Sequence, residues 1–209
     1  WLSSRMRGYL EDTRRDPLSD YFTARVPPRI LKKYKLNPAD RCFKENIACM
    51  PEDDDTNYTV IGMAVMKKHG RNFKPEDVAN FWLAEVPILH TCTAERVAYR
   101  NFCDLIPPPV SASFRNPYRE RIGAQIRADF SGYAAPGNPQ LAAELAWRDA
   151  CTTHIKNGIY GEMWVAAMLA AAPVTVDVIE VIRIGLSEIP ARSRLTESIH
   201  DVIAWYEEG

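Results

Sequence analysis

The fold of this chain is decided by residues 138–172, NPQLAAELAWRDACTTHIKNGIYGEMWVAAMLAAA. Asn138 followed by Pro139 predicts a helix start, because Asn is a good N-cap and Pro is tolerated at the first helical position. Apolar residues then recur on one side, which predicts a helix over residues 140–153. Asp149 continues that same side, so an acid stands where a core residue is expected.

Helical periodicity also dominates the rest of the chain after residue 55. Gly70 follows three basic residues and predicts a helix end, while Pro75 sits at a plausible first helical position. Thr91 or Thr93 is predicted to cap the next helix. The predicted helices cover residues 56–69, 75 onward, 93–103, 140–153, 162–172, 175–186 and 193–207.

No pair of neighbouring β-type runs is joined by a hairpin turn, and no repeat or low-complexity linker occurs. The sequence therefore predicts an all-α fold and a single domain over residues 1–209.

Composition limits the classes of function. The 209 residues are 46% hydrophobic and 25% charged, which is typical of a globular protein. Lys and Arg total 26 against 27 Asp and Glu, so no charge excess points to nucleic acid or to an anionic membrane surface. The five cysteines are an odd number without CxxC spacing, which favours reduced thiols. We therefore expect a cytoplasmic protein.

An acidic tract, Glu52-Asp53-Asp54-Asp55, is the sharpest local feature. One interpretation is a helix N-terminus, where the dipole favours each negative charge by about 0.3–1 kcal/mol. The other is a site for a hard cation, because clustered carboxylate and hydroxyl oxygens suit Mg²⁺ or Mn²⁺. Consecutive residues cannot surround an octahedral ion, so the second interpretation requires oxygen ligands from a distant segment.

A second candidate is the junction between two predicted helices around His154. Gly158 and Gly161 follow it, beside Asn157 and Tyr160, and such a backbone can lie open to a ligand. The alternative is a histidine that caps the helix end and is stabilised by the helix dipole.

Arginines between residues 116 and 137 form a third, weaker candidate. Arg119, Arg121 and Arg127 offer donors suited to phosphate oxygens, but a basic helix surface explains them equally well. The sequence contains no serine-hydrolase, zincin or P-loop motif.

These three regions resemble the signature regions of the ADP-ribosylglycohydrolase family. The tract from Glu52 to Thr56 resembles that family's first metal motif, usually Thr or Ser followed by Asp-Asp-Thr. Residues 122–172 resemble its central helices, and residues 189–206, IPARSRLTESIHDVIAWY, look like a later helix. The resemblance implies a compact orthogonal bundle of helices around a dinuclear Mg²⁺ or Mn²⁺ site.

The resemblance also implies roles for individual residues. Asp54 and Asp55 would be metal ligands and catalytic residues, and Asp53 would be a metal ligand where the family usually has a hydroxyl. This departure affects the expected metal geometry. The implied substrate-binding residues are His154, Asn157, Gly158 and Tyr160.

Two further parts of the family pattern are not found in this sequence. They are a glycine-rich first helix before the region of Trp1 and an Asp-x-Asp-Thr-like motif near the C-terminus. We therefore expect that the domain is incomplete at both ends.

The implied activity is metal-dependent cleavage of the N- or O-glycosidic bond between ADP-ribose and an acceptor such as a protein arginine side chain. Its partners would be ADP-ribose and ADP-ribosylated proteins or small molecules, without nucleic acid or membrane. The alternative is a non-catalytic protein that binds ADP-ribose or a nucleotide, or a structural descendant of the family.

Overall fold

The computed structural model describes residues 3–49 and 53–209, and the chain divides at Asp53 into two compact units. Within the described ranges the regular structure is entirely helical, which confirms the predicted all-α class. No described helix is both long enough and apolar enough to span a membrane. The division at Asp53 was not predicted, and the single domain over residues 1–209 stays a prediction.

The first unit contains two helices, α1 (Ser3–Asp12) and α2 (Pro28–Tyr34). Proline at the start of α2 costs no intrahelical hydrogen bond, since the first backbone NH groups of a helix have no partner. The Tyr9 hydroxyl donates to the carbonyl oxygen of Thr23 at 2.5 Å, so this ring is buried without losing its polar contact. The buried core of the unit consists of Tyr9, Leu31, Leu36 and Phe43.

The second unit contains nine α-helices within residues 53–209 and two short 3₁₀ helices, at Ile88–His90 and Ile122–Arg127. The α-helices are α3 (Asp54–His69), α4 (Pro75–Glu85), α5 (Thr93–Cys103), α6 (Val110–Ser113), α7 (Ala128–Tyr133), α8 (Pro139–Ala150), α9 (Asn157–Ala171), α10 (Val178–Ser187) and α11 (Arg194–Glu208).

Local capping signals fixed several of these ends as predicted. The Asn138 side chain accepts a hydrogen bond from the backbone NH of Leu141 at 3.1 Å, ahead of Pro139. Gly70 ends α3 with a φ of 77°, a left-handed value that glycine adopts without steric cost. Pro75 begins α4. Each of these capping interactions joins residues that are close together in the chain, so the sequence alone was sufficient to predict these helix ends.

Three predicted features were wrong in detail. The N-cap of α5 is Cys92, because the Thr91 hydroxyl instead donates to the carbonyl oxygen of Ile88 at 2.6 Å. Helix α8 ends at Ala150 rather than near residue 153, and α9 begins at Asn157 rather than at Glu162. Gly158 and Gly161 therefore lie inside the first turns of a helix and not in an open turn.

Small side chains bring α7, α8 and α9 close together. A Cβ atom at Gly132 would lie 3.0 Å from the carbonyl oxygen of Ala166, closer than ordinary packing allows. Larger aromatic side chains fill the neighbouring core between α3, α4 and α5, where the Tyr58 and Trp82 rings stack with centroids 5.6 Å apart. The buried alanines of the close-packed cluster are Ala128, Ala135, Ala142, Ala146, Ala166 and Ala170.

Candidate active site

The N-terminus of α3 carries the acidic turn, Asp53–Asp55. Asp53 is the N-cap, and its Oδ1 accepts a hydrogen bond from the backbone NH of Thr56 at 2.8 Å. That bond, with a second from the Thr56 hydroxyl, lowers the pKa of the Asp53 carboxyl. Glu52, the first acid of the tract, lies outside the described residues. The acidic tract therefore lies at a helix N-terminus, as the first of the two interpretations predicted, and Asp53 is its N-cap.

Asp54 and Asp55 are exposed and free of the capping role. Burial, followed by the charges of Asp54, Asp53 and Asp129, raises the pKa of the Asp55 carboxyl. The side chain of Asp129, on α7, therefore adds to the negative potential around this turn. Mutual repulsion of this kind is relieved when a cation binds.

The fit of a divalent cation to this turn can be judged residue by residue. Asp54 and Asp55 present carboxylate oxygens, the ligand type that Mg²⁺ and Mn²⁺ prefer. Asp53 fits less well, because one of its oxygens already accepts two hydrogen bonds from Thr56. Across residues 3–49 and 53–209, no group of three or more His, Cys, Asp or Glu side chains is arranged to hold a metal ion. Within the described residues, the turn alone therefore does not make a metal site.

Behind the acidic turn lies a buried cluster centred on Arg127, whose side chain is 2% exposed. Its Nε lies 2.5 Å from Oδ2 of Asp149, and its Nη1 lies 3.2 Å from Oε1 of Glu95. Nη1 also donates to the hydroxyl of Thr153 at 3.0 Å, and Nη2 donates to the backbone oxygen of Asp149 at 3.3 Å. Arg127 is therefore committed to the protein interior and is not available to a phosphate.

Glu162 is the third carboxyl of the cluster and is fully buried. Its Oε2 lies 3.6 Å from Nη2 of Arg127, beyond hydrogen-bond distance, and neither oxygen accepts a hydrogen bond from a donor of the described residues. A side-chain hydrogen bond with Asp149 engages Glu162 in its protonated form. Burial, followed by the charge of Asp149, raises the pKa of Glu162 well above its usual value. Burial likewise raises the pKa of Glu95, while Arg127 opposes that shift.

His154 lies in the connection of residues 151–156 between α8 and α9, here called the His154 connection. The ring is completely buried, and its Nδ1 lies 2.7 Å from the hydroxyl of Thr153. Burial, followed by the charge of Arg127, lowers the pKa of His154 to about 3. The ring is thus neutral at physiological pH, which argues against a cationic histidine stabilised by the helix dipole.

The second nitrogen of His154, Nε2, has no hydrogen-bond partner among the described residues and lies 4.0 Å from Oε1 of Glu95. The Thr153 hydroxyl accepts from Arg127, and its own proton has two possible acceptors, Nδ1 at 2.7 Å and the carbonyl oxygen of Ala150 at 3.5 Å. The shorter contact favours donation to Nδ1. The proton of the neutral ring then sits on Nε2 and faces the Glu95 carboxylate, which is the electrostatically favourable tautomer.

The other predicted substrate-binding residues face different surroundings. Gly158 is buried, and a Cβ atom there would lie 2.8 Å from the carbonyl oxygen of Arg119 and 2.9 Å from Cδ2 of His154. Asn157 is half-buried and donates to Oε2 of Glu120 at 3.1 Å. Tyr160 packs, half-buried, against two core clusters, one that contains Ala124 and Ile159 and one that contains Leu186 and Ile203.

The structure relates two of the predicted regions through a residue that sequence reasoning missed. Oε1 of Glu95 lies 4.0 Å from Nε2 of His154, and the charge of Asp54 is one of the smaller contributions to the raised pKa of Glu95, after its burial. Arg127 and Glu162 were not predicted as members of a common cluster either. The one signal in the sequence was Asp149, an acid on an apolar helix face, which now has its explanation in the ion pair with Arg127.

The family model described as ADP-ribosylglycohydrolase matches residues 9–208. Searches of curated proteins and of solved structures found no match to the chain.

Proposed function

The chain belongs to the ADP-ribosylglycohydrolase family, and on that premise we propose that it hydrolyses the glycosidic bond between ADP-ribose and an acceptor such as a protein arginine side chain. In this proposal Mg²⁺ or Mn²⁺ binds at Asp54 and Asp55. The observation that carries the proposal is the pair of exposed carboxylates at the start of α3, inside the matched region.

In the proposed site, Asp53 has a different role from Asp54 and Asp55. Asp53 holds the start of α3 through its bond to Thr56, so it fixes the direction in which Asp54 and Asp55 point. Asp129 adds negative potential from α7, which favours a cation over an anion at this position. A bound divalent cation would supply Lewis-acid stabilisation of oxygen atoms and lower the pKa of bound water.

The chain's own acids would then act on the attacking water. Cleavage of a glycosidic bond builds positive charge on the ribose ring, and nearby carboxylates stabilise that charge. We propose that Asp54 and Asp55 orient the water molecule and lie on the side of the ribose where positive charge develops. Asp53 remains a third, weaker candidate ligand because of its capping bonds.

On the substrate side we propose His154, Asn157, Gly158 and Tyr160. Tyr160 is half-buried, and in this proposal its hydroxyl reaches the bound ligand. The Asn157 side chain donates to Glu120 and accepts from the backbone NH of Leu195 at 3.3 Å, so in this proposal it holds the start of α9 beside the ligand. His154 and Gly158 are buried, so in this proposal they shape the wall behind the ligand. Oε1 of Glu95 lies 4.0 Å from Nε2 of His154, and we propose that this carboxylate orients the ring.

The test is release of ADP-ribose from ADP-ribosylated arginine, measured with Mg²⁺, with Mn²⁺ and with a chelator. We expect release that requires the metal and that falls at least about a hundredfold in the Asp54→Asn variant, the scale of losing a principal electrostatic group. Asp177→Asn is the matched control, because Asp177 is another exposed acid at a helix N-terminus, that of α10.

Three results would contradict the proposal. A fully active Asp54→Asn variant would remove the ligand assignment. Binding of ADP-ribose without release, and without any need for metal, would indicate the non-catalytic binding protein. Neither binding nor release would indicate a structural descendant.

A further inference from the structure

The side chain of Arg127 makes several polar contacts in the interior of the second unit. A guanidinium has five N–H donors. Four of its contacts are hydrogen bonds, made to Asp149, Glu95 and Thr153. The remaining direction faces Glu162 at 3.6 Å. Because the N–H donors of this guanidinium are engaged inside the protein, the role of Arg127 depends on which segments it joins.

One of those segments is the start of α3. The Arg127 guanidinium lies 5.6 Å from the centre of the Tyr58 ring, a cation–π contact in a buried setting. Tyr58 follows Asp54 by four residues and Asp55 by three, so all three lie on one face of the helix. The contact therefore fixes the rotation of the face that carries the acidic turn.

The other segment is the His154 connection. Arg127 donates to the Thr153 hydroxyl, and that hydroxyl lies 2.7 Å from Nδ1 of His154. Arg127 also holds Glu95, the carboxylate that faces Nε2 of the same ring. Both nitrogens of His154 are thus governed by groups that Arg127 binds.

We propose that Arg127 is the positioning residue of this candidate site, holding the acidic turn of α3 and the His154 connection at a fixed separation. This inference rests on the proposed function for its meaning, since those two segments are the proposed cation side and substrate side. Arg127 itself touches neither cation nor substrate.

Glu162 provides the matched control for this inference. One guanidinium faces three carboxyls, and hydrogen bonds reach only Glu95 and Asp149. A third ionised carboxylate without hydrogen bonds would be very costly in the interior, so Glu162 is the protonated member. Gln has the shape and neutrality of a protonated Glu. Glu162→Gln should therefore leave the positions of both segments unchanged.

The experiment is amide hydrogen exchange of the full chain, comparing the wild type with Arg127→Lys and Glu162→Gln, together with calorimetric titration of Mn²⁺. Lys cannot make the forked contacts of Arg. In Arg127→Lys we expect exchange about tenfold faster or more at residues 54–58 and 152–155 together, with α10 and α11 unchanged. Mn²⁺ affinity should fall about tenfold. Glu162→Gln should keep the wild-type Mn²⁺ affinity and should not accelerate exchange at either segment.

A second pair of variants keeps the inference testable if Arg127→Lys does not fold. Tyr58→Leu removes the aromatic contact to α3 and leaves the ion pairs of Arg127, whereas Tyr58→Phe keeps the ring. We expect Tyr58→Leu to accelerate exchange at residues 54–58 but not at 152–155, and Tyr58→Phe to accelerate neither.

Uniform acceleration across residues 53–209 in Arg127→Lys, or acceleration at neither segment, would overturn the positioning role. Equal effects of Tyr58→Leu and Tyr58→Phe would overturn the proposed link to α3. If the wild type neither binds Mn²⁺ nor releases ADP-ribose, the proposed function fails, while the exchange pattern still decides whether Arg127 couples the two segments.

Discussion

The Nε atom of Arg127 lies 2.5 Å from Oδ2 of Asp149, and this ion pair joins the 3₁₀ helix before α7 to the last turns of α8. Both side chains are largely withdrawn from solvent, with exposures of 2% and 18%. Removing one partner of a buried pair is far more damaging than removing both, because the other charge stays behind without compensation. Asp149 is consequently a sensitive point of the second unit.

Asp149→Asn should therefore lower the free energy of unfolding by about 3 kcal/mol, the lower end for breaking a buried pair. Urea unfolding followed by circular dichroism measures the change. Glu144→Gln is the control on the same helix, since Glu144 pairs with Arg148 at an exposed position, and its cost should be roughly 0.5 kcal/mol or less. Equal costs for the two variants would argue against a special role for the Arg127 cluster.

Glu162→Gln should become more stable relative to the wild type as pH rises. The folded pKa of Glu162 is raised, so the wild type loses stability as pH rises above the unfolded value of 4.5 towards the folded pKa. The Gln side chain does not titrate, so it adds no pH dependence to the free energy of unfolding. Unfolding free energies measured for both proteins between pH 4.5 and 8 should diverge in favour of the variant, and a difference that stays flat or reverses would mean that Glu162 is ionised in the fold.

His154 should remain neutral at pH 5, because its pKa is lowered to about 3. A lowered histidine pKa means that the unfolded chain takes up the proton first. Stability is therefore lost as pH falls from 6.5 towards 3, by up to about 1.4 kcal/mol per unit. Nitrogen-15 NMR of the ring reports the protonation state directly, and His154→Gln should flatten this part of the stability profile. His200→Gln, on an exposed position of α11, is the control variant.

Gly158→Ala should destabilise the second unit although alanine favours helices. The gain in helix propensity is about 1 kcal/mol, but the new Cβ would lie 2.8 Å from the backbone oxygen of Arg119. A backbone atom cannot move aside easily, so we expect a net loss of about 1–3 kcal/mol in thermal unfolding. At Gly161 the nearest atom is the flexible end of Gln125 at 3.2 Å, and Gly161→Ala should be close to neutral. A stabilised Gly158→Ala variant would contradict the packing described here.

The start of α9 shows why parts of the fold were not predictable from the sequence. Two glycines within five residues of Asn157 are ordinarily a sign of a turn, and they were interpreted so. Gly158 instead lies in a helix, and its position requires a glycine because a side chain there would meet the Arg119 backbone and the His154 ring. Such a requirement comes from a segment about forty residues away, whereas the caps at Asn138 and Gly70 depend on immediate neighbours only.

The same distinction applies to the candidate site. The acidic turn was visible because its residues are consecutive, and its helix N-terminus was one of the two interpretations that the sequence left open. The Arg127 cluster gathers residues from α5, α8, α9, the 3₁₀ helix before α7 and the His154 connection, so only Asp149 signalled it in advance. Family membership follows from the match over residues 9–208, while the roles of individual side chains stay proposals.

Calorimetric titration of ADP-ribose into the protein, with and without Mg²⁺, tests the central proposal most directly. We predict binding that requires Mg²⁺ and that is lost in Asp54→Asn, because Asp54 and Asp55 are proposed to hold the cation beside the ribose. Binding of equal strength without Mg²⁺, or unchanged binding in Asp54→Asn, would contradict the account.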